Sequence, residues 1–142
     1  MARVLIIDDS PTVTRALATT LARDGHVVEE LSQFSSLAER LTAFDPEVIV
    51  LDLEMPGFSG VQFARFISRI SATPPPIILH SGSDRLLIKA AAKEIKPFEV
   101  VPKGTPPREL SKIVARAAAR QDREATGRTS LGGQADDSVR RV

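Results

Sequence analysis

Five polar side chains in this sequence each follow a short apolar segment, and their types suit the transfer of a phosphoryl group. They are three carboxylates, one hydroxyl and one amine: Asp8, Asp9, Asp52, Ser81 and Lys103. At an effective dielectric constant of about 20, two carboxylates about 4 Å apart repel each other by about 4 kcal/mol. Mg²⁺ offsets this repulsion and binds carboxylates, carbonyl oxygens and water. An aspartate in such a cluster can act as a nucleophile towards phosphorus.

Asp52 is the expected reacting group because it ends the most uniformly apolar segment, residues 48–51. A short apolar run that is closed by Pro56-Gly57 is typical of a strand buried on both faces. A carboxylate at the carboxyl end of such a strand leaves the core where ligands bind in open parallel sheets. Lys103 would supply a positive charge and Ser81 a hydrogen-bond donor to the transferring group.

Apolar strand segments and helical periodicity alternate five times along the chain. The predicted strands are residues 4–7, 26–31, 48–51, 77–79 and 98–101. The predicted helices are residues 11–24, 33–44, 60–70, 84–95 and 106–120. This alternation predicts an α/β fold with a parallel sheet between helices. Because every turn that follows a strand opens at the same sheet edge, the five polar groups should converge there.

Composition limits the other classes of function. The chain has 142 residues, 19 Lys and Arg, 18 Asp and Glu, and no cysteine. The balanced charge argues against nucleic-acid or membrane partners, and the missing cysteines exclude disulfides and thiolate catalysis. Residues 4–7 are too short for a signal peptide or a membrane span, and we expect a cytoplasmic location. We predict one domain over residues 1–120 and a flexible polar tail over residues 121–142.

The residues around Asp52 carry a further signal, because their order resembles that of a response-regulator receiver domain of the CheY-like type. The resemblance covers roughly residues 2–120 and rests on Asp8-Asp9, on the block Leu51-Asp52-Leu53-Glu54-Met55-Pro56-Gly57-Phe58-Ser59-Gly60, on Ser81 and on Lys103. It implies a flavodoxin-like, doubly wound five-stranded parallel sheet in the order 2-1-3-4-5, flanked by five helices.

The resemblance also implies roles for individual residues. Asp52 would be the phospho-acceptor, and Ser81 and Lys103 would contact the transferred phosphoryl group. The implied magnesium ligands are Asp8 (through water), Asp9, Asp52 and the backbone carbonyl of Glu54. The donor would be a histidine kinase or a phosphotransfer protein of a bacterial two-component system, and the receiver of the signal an unknown protein. We expect a single-domain regulator and not an enzyme that turns over an external substrate; the other possibility is a piece of a longer protein.

Several positions depart from the family pattern or leave a choice open. Lys96-Pro97 mimics the usual Lys-Pro dipeptide of receivers, but Lys96 precedes the fifth strand, so we assign the site lysine to Lys103. Gly104 replaces the usual proline, which removes the reason to expect a cis peptide bond. Val100 stands where a switch aromatic is common. Glu54 and Ser83 occupy positions that tune loss of the phosphoryl group in such proteins. His26 and His80 are read as structural or surface residues.

Two other functions compete with the phosphorylated switch. A degenerate receiver would bind a protein without being phosphorylated, which Val100 and Gly104 favour. A phosphatase of the haloacid-dehalogenase type also uses an aspartate at a strand end. That chemistry needs a second aspartate two residues later, where this chain has Glu54.

Overall fold

The computed structural model of the chain describes residues 1–55, 58–82 and 84–139, and it consists of one sheet between two layers of helices. The elements are β1 (Arg3–Ile7), α1 (Pro11–Arg23), β2 (Val27–Leu31), a 3₁₀ turn (Phe34–Ser36), α2 (Leu37–Phe44), β3 (Val48–Leu51), β4 (Glu54–Met55), β5 (Phe58–Ser59), α3 (Gly60–Ile70), β6 (Ile77–Ser81), α4 (Arg85–Ile95), β7 (Glu99–Pro102) and α5 (Pro107–Val139).

The central sheet contains five parallel strands in the order β2-β1-β3-β6-β7. Counted over these five strands alone, this is the order 2-1-3-4-5 that the resemblance implied, so the predicted fold is confirmed. The weakly apolar segment after Gly25 forms β2 at one edge, as expected. Strands β4 and β5, which pair antiparallel in a hairpin between β3 and α3, were not predicted.

Both faces of the sheet are covered, which explains why residues 4–7, 48–51 and 77–79 of the inner strands are all apolar. On one face, Leu5 and Leu51 belong to the cluster that packs under α2, α3 and α4. On the other face, Ile6 and Val50 belong to the cluster under α1 and α5. All four residues of β3 are at most 1% exposed. Burial of each such side chain contributes about 1.5–3 kcal/mol, so β3 anchors the fold beneath the predicted reacting residue.

Helix starts differ from the predictions in ways that local chemistry explains. Ser10 occupies the N-cap of α1, but its side chain makes no capping hydrogen bond. Ser32 was expected to cap the second helix, but a 3₁₀ turn intervenes and α2 begins after Ser36. The start of α3 is stronger than expected, because Ser59 and Gln62 form a reciprocal capping box. This box fixes the chain direction directly after the Asp52 loop.

Helix α5 is longer than the predicted domain. It begins at Pro107 and continues in helical conformation to Val139, whereas the sequence predicted an irregular tail from residue 121. The segment contains good helix formers such as Gln121, Arg123 and Ala125 but also three glycines, so helix propensity alone does not account for the continuation. The domain boundary at residue 120 and the flexibility of the segment stay predictions. In the described part of the chain, no helix has both the length and the apolar character needed to cross a membrane.

Candidate functional site

Backbone pairing brings the first and third strand ends to the same level. The Asp8 amide donates to the Leu31 carbonyl at 3.1 Å, and the Asp52 amide donates to the Ile7 carbonyl at 2.9 Å. Each aspartate therefore makes the last hydrogen bond of its strand and then leaves the sheet. This places both carboxylates at the carboxyl edge, where the parallel topology opens.

Asp8, Asp9 and Asp52 form one acidic cluster. Each offers a carboxylate oxygen, and these oxygens all lie within 4.8 Å of one another. Asp8 is 4% and Asp52 7% exposed, whereas Asp9 is exposed to solvent. A crevice of about 160 Å³ opens beside Asp8 and Asp9. Asp52 is not among the residues that line this crevice, which extends from Asp8 and Asp9 towards the end of β2.

Lys103 reaches into this cluster from the end of β7. Its Nζ lies 2.9 Å from Asp8 Oδ2 and 3.7 Å from Asp52 Oδ2. Its amide donates to the Ser81 carbonyl at 3.0 Å, which holds the lysine beside the end of β6. The competing lysine, Lys96, lies before β7 and lines a cavity at the opposite edge. The structure thus places Lys103, and not Lys96, beside the acids.

The Asp8 carboxylate is held on both of its oxygens. Oδ2 accepts from Lys103, and Oδ1 accepts from the Ser10 amide at 2.9 Å. Ser10 therefore contributes its backbone to the site, in place of the side-chain cap that the sequence suggested. A carboxylate fixed in this way is oriented before a cation arrives.

Ser81 ends β6 and is 1% exposed. It pairs with Pro102, directly before the site lysine. A Cβ added at Gly82 would lie 3.5 Å from Lys103 Cγ, an ordinary van der Waals distance, so the chain after Ser81 runs beside the lysine stem. Ser81 and Lys103 are therefore neighbours at the strand ends, as the topology predicted.

Gly60 is a positioning residue that the sequence reasoning missed. A Cβ added there would lie 3.1 Å from the Leu53 Cα and 3.2 Å from the Asp52 carbonyl oxygen. The Gly60 amide donates to the Leu53 carbonyl at 3.1 Å. The start of α3 thus packs directly against the chain that follows Asp52. The Ser59 to Gln62 spacing could have indicated this tight helix start.

His80 is buried next to the site. It is 5% exposed, and its Nε2 has no hydrogen-bond partner in the described part of the chain. Burial lowers the pKa of His80, and the nearby Lys103 ammonium lowers that pKa further. The interpretation of His80 as a structural residue agrees with this environment.

The structure describes some of the remaining predicted positions and not others. Gly104 adopts φ +97°, and the peptide bonds of the described residues are all trans. Val100 is 37% exposed on the edge strand β7. Pro56, Gly57 and Ser83 lie outside the described residues, as does the side chain of Glu54. The assigned roles of Asp8, Asp9, Asp52, Ser81, Lys103 and the Glu54 carbonyl stay predictions.

A sequence comparison decides the family. A model of the response regulator receiver domain matches residues 4–115. The chain belongs to the response-regulator receiver family. Such domains act in two-component signalling, so the resemblance to a receiver domain of a two-component system is confirmed.

Solved receiver structures show the same fold. A CheY-like receiver domain protein from Methanospirillum hungatei superposes with a TM-score of 0.79 at 17% identity and covers 87% of this chain and 98% of its own. The chemotaxis response regulator CheY4 of Vibrio cholerae gives a TM-score of 0.72 at 24% identity over 82% of this chain and 98% of its own.

Curated relatives are longer proteins. A protein-glutamate methylesterase/protein-glutamine glutaminase of Agrobacterium fabrum is 37% identical in an alignment of 114 residues that covers 75% of this chain and 31% of the relative. A similarly named protein of Rhodopseudomonas palustris is 37% identical over 105 residues, 71% of this chain and 28% of the relative. The chain spans less than a third of the length of these relatives.

These names correct one prediction. From the sequence we expected a protein that is not an enzyme acting on an external substrate, but both relatives carry the names of enzymes. The prediction is therefore wrong. A receiver pattern does not exclude an enzyme, because similar sequences occur in proteins that are named as enzymes. The similarity covers the receiver part and shows no enzymatic activity for this chain.

Proposed function

We propose that this receiver accepts a phosphoryl group on Asp52 from a phosphohistidine of a cytoplasmic histidine kinase or phosphotransfer protein. The observation that carries the proposal is the meeting of Asp8, Asp9 and Asp52 within 4.8 Å, with the Lys103 ammonium 3.7 Å from Asp52. In a site of three acids beside one amine, a divalent cation would offset the mutual repulsion of the carboxylates. The cation and the amine would together hold a phosphoryl group.

The donor set fits Mg²⁺. Two oxygens on opposite sides of this ion lie about 4.2 Å apart, twice the usual distance of about 2.1 Å. The spacing of the acids is close to this limit, and small side-chain rotations or a bridging water would complete it. Asp9 and Asp52 would bind directly, Asp8 through water, and the Glu54 carbonyl would add a ligand. The ion, when bound, supplies charge neutralisation on the transferring phosphoryl oxygens.

The transfer itself forms one bond and breaks another. A carboxylate oxygen of Asp52 attacks phosphorus and forms the P–O bond of an acyl phosphate, while the P–N bond of the phosphohistidine breaks. The electron pair returns to the imidazole of the donor, whose other ring nitrogen carries a proton, so the leaving group is a neutral histidine. The Lys103 ammonium lies 2.9 Å from Asp8 and 3.7 Å from Asp52, so a small movement would bring it from Asp8 to the new phosphoryl oxygens.

Ser81 would report the modified state. Its hydroxyl is buried at the end of β6, beside the lysine stem. A hydrogen bond to the phosphoryl group would pull this strand end towards Asp52 and bias the surface formed by α4, β7 and α5.

A second function is favoured by Val100. This residue is exposed on β7 and lacks the ring that couples strand end to surface in many receivers. In this case the domain would bind its target without phosphorylation. Replacement of Asp52 by asparagine separates the two functions, because it blocks phosphorylation and keeps the shape of the side chain.

The test is incubation with acetyl phosphate and Mg²⁺, followed by intact-mass measurement. We expect a gain of one phosphoryl group in the native chain, no gain in Asp52→Asn, and a normal gain in the matched control Asp122→Asn on α5. Unchanged mass of the native chain with both acetyl phosphate and a phosphorylated kinase would contradict the proposal.

A further inference from the structure

A cavity at the amino edge of the sheet lies opposite the acids. It has a volume of about 560 Å³ and is enclosed by α3, by the segments that enter β6 and β7, and by α5. Ligand sites for small molecules commonly measure about 300–1,000 Å³. The cavity contains no residue of the phosphorylation site.

Rigid apolar groups form its walls. Ile67 and Ile77 are buried at its base, and Pro75, Pro76 and Phe98 are half-buried along its sides. Proline fixes φ, so the run that precedes β6 has little freedom to collapse into the cavity. The cavity is therefore preformed and offers flat apolar surfaces to a ligand.

Positive charge is in excess around the opening. The charged residues of the wall are four cations, Arg65, Arg69, Lys96 and Arg120, and two anions, Glu94 and Glu124. Both anions are already paired.

The pairs are Glu94 with Arg65 at 2.6 Å, and Glu124 with Arg120 at 3.1 Å. Arg69 and Lys96 make no ion pair within the described residues. They come from different elements, the end of α3 and the residue after α4. Two cations from separate elements beside one apolar cavity favour a ligand with an acidic group.

Arg120 adds an aromatic contact to this wall. Its guanidinium lies 5.5 Å from the centre of the Phe98 ring. The arrangement holds the ring at the boundary between the apolar base and the cationic opening. A flat ligand could therefore pack on the prolines and Phe98 while its acidic group faces Arg69 and Lys96.

We propose that this cavity binds a small organic anion that combines a flat apolar body with one acidic group. The site requires neither Asp52 nor a metal ion, so it is independent of phosphoryl transfer. Binding would bridge α3 and α5 across the sheet edge, and it would stabilise the folded chain by mass action.

The probe is 1-anilinonaphthalene-8-sulfonate, which has a flat apolar body and one acidic group. We expect saturable fluorescence enhancement with one site per chain. In ¹H–¹⁵N spectra, the shifts should cluster at the cavity, at Ser68, Ile77 and Phe98. The neutral analogue N-phenyl-1-naphthylamine should bind at least about tenfold more weakly, because it lacks the charge that Arg69 and Lys96 recognise.

Three variants make the test specific. Arg69→Ala with Lys96→Ala should weaken binding of the sulfonate about tenfold or more. Arg15→Ala with Arg23→Ala removes the same charge from exposed positions of α1 and should leave binding unchanged. Ser68→Phe fills the cavity from an exposed position of α3 and should abolish binding. Circular dichroism and acetyl phosphate labelling establish that each variant is folded.

Three results would overturn the proposal. The first is fluorescence that does not saturate. The second is equal weakening by the α1 double variant and the cavity double variant. The third is a set of shifts centred on the exposed Leu86 and Leu87 of α4 instead of the cavity.

Discussion

The two edges of the sheet carry opposite charge. At the carboxyl edge, three acids cluster together, and the ammonium of Lys103 lies beside two of them, Asp8 and Asp52. At the amino edge, cations surround an apolar cavity that Lys96 lines. The two lysines are separated by one short strand, β7, yet they serve different edges. The comparison shows that the position of a residue relative to a strand decides which site its side chain joins. The Lys96-Pro97 dipeptide alone would have led to the wrong site lysine.

Removal of each lysine gives the sharpest contrast. Lys103→Met should slow acetyl phosphate labelling by about 100-fold, because the positive charge at the transferring group is lost. It should also lower the free energy of unfolding by about 2 kcal/mol without Mg²⁺, because two buried carboxylates lose their cation.

Lys96→Met is the matched control at the other edge. Its charge is exposed and unpaired within the described residues, so labelling and stability should change little. Rate measurements and urea titrations of both variants check this difference. Equal effects of the two substitutions would remove the distinction between the edges.

Magnesium should act at the acidic edge alone. Mg²⁺ should raise the melting temperature of the native chain by several degrees, because it binds only the folded cluster. Asp9→Asn removes one carboxylate ligand, so a roughly tenfold higher Mg²⁺ concentration should be needed for the same rise in melting temperature. Asp9 is exposed, so the variant should fold normally. Calorimetric scans over a magnesium series measure both effects, and the control Asp122→Asn should respond like the native chain.

The two histidines extend the comparison to pH. His80 lies at the carboxyl edge, and His26 lies at the amino edge, where its Nδ1 accepts from the Ala2 amide at 3.1 Å. Burial lowers the pKa of both below the ordinary value of 6.5. The unfolded chain then binds protons more readily, so their contribution to stability is complete above pH 6.5. It declines as the pH falls below 6.5 and is lost below the folded pKa.

His80 is more buried than His26. The free energy of unfolding should therefore decrease less between pH 7 and pH 5 in His80→Leu than in His26→Leu. Urea titrations at a series of pH values give the slopes. A steeper slope in His80→Leu than in the native chain would contradict the assignment.

Much of the fold followed from the sequence because one local rule applied repeatedly. The continuous apolar run of β3 predicted burial on both faces, and the parallel topology then placed Asp8, Asp52 and Lys103 at one edge. The strand order itself came from the family resemblance and could not be read from periodicity.

Other features depend on contacts between distant parts of the chain. One exception is local, because the amide of Ser10 donates to Asp8 Oδ1, two residues earlier, where the sequence favoured a side-chain cap. The amino-edge cavity assembles from α3, the end of α4, the segments that enter β6 and β7, and α5, so no single segment predicts it. The continuation of α5 was missed because polar composition was read as irregular structure.

The end of α5 should give the smallest effect. A chain that ends at Glu124 keeps every described wall residue of the amino-edge cavity. We expect its melting temperature to change by less than about 2 °C, because the removed segment is polar and contributes little apolar burial. Calorimetry of the shortened chain measures this change. In the full chain, amide hydrogen exchange should be faster after residue 124 than over residues 110–117. A large loss of stability would show that the segment belongs to the folded domain.

The most direct measurement locates the phosphoryl group. Borohydride reduces an aspartyl phosphate to homoserine, so the native chain is labelled with acetyl phosphate and Mg²⁺, reduced, digested and sequenced by mass spectrometry. We predict homoserine at position 52 and unmodified aspartate at positions 8 and 9. Homoserine at either of those positions, or at none, would contradict the assignment of Asp52 as the group that the other acids and Lys103 serve.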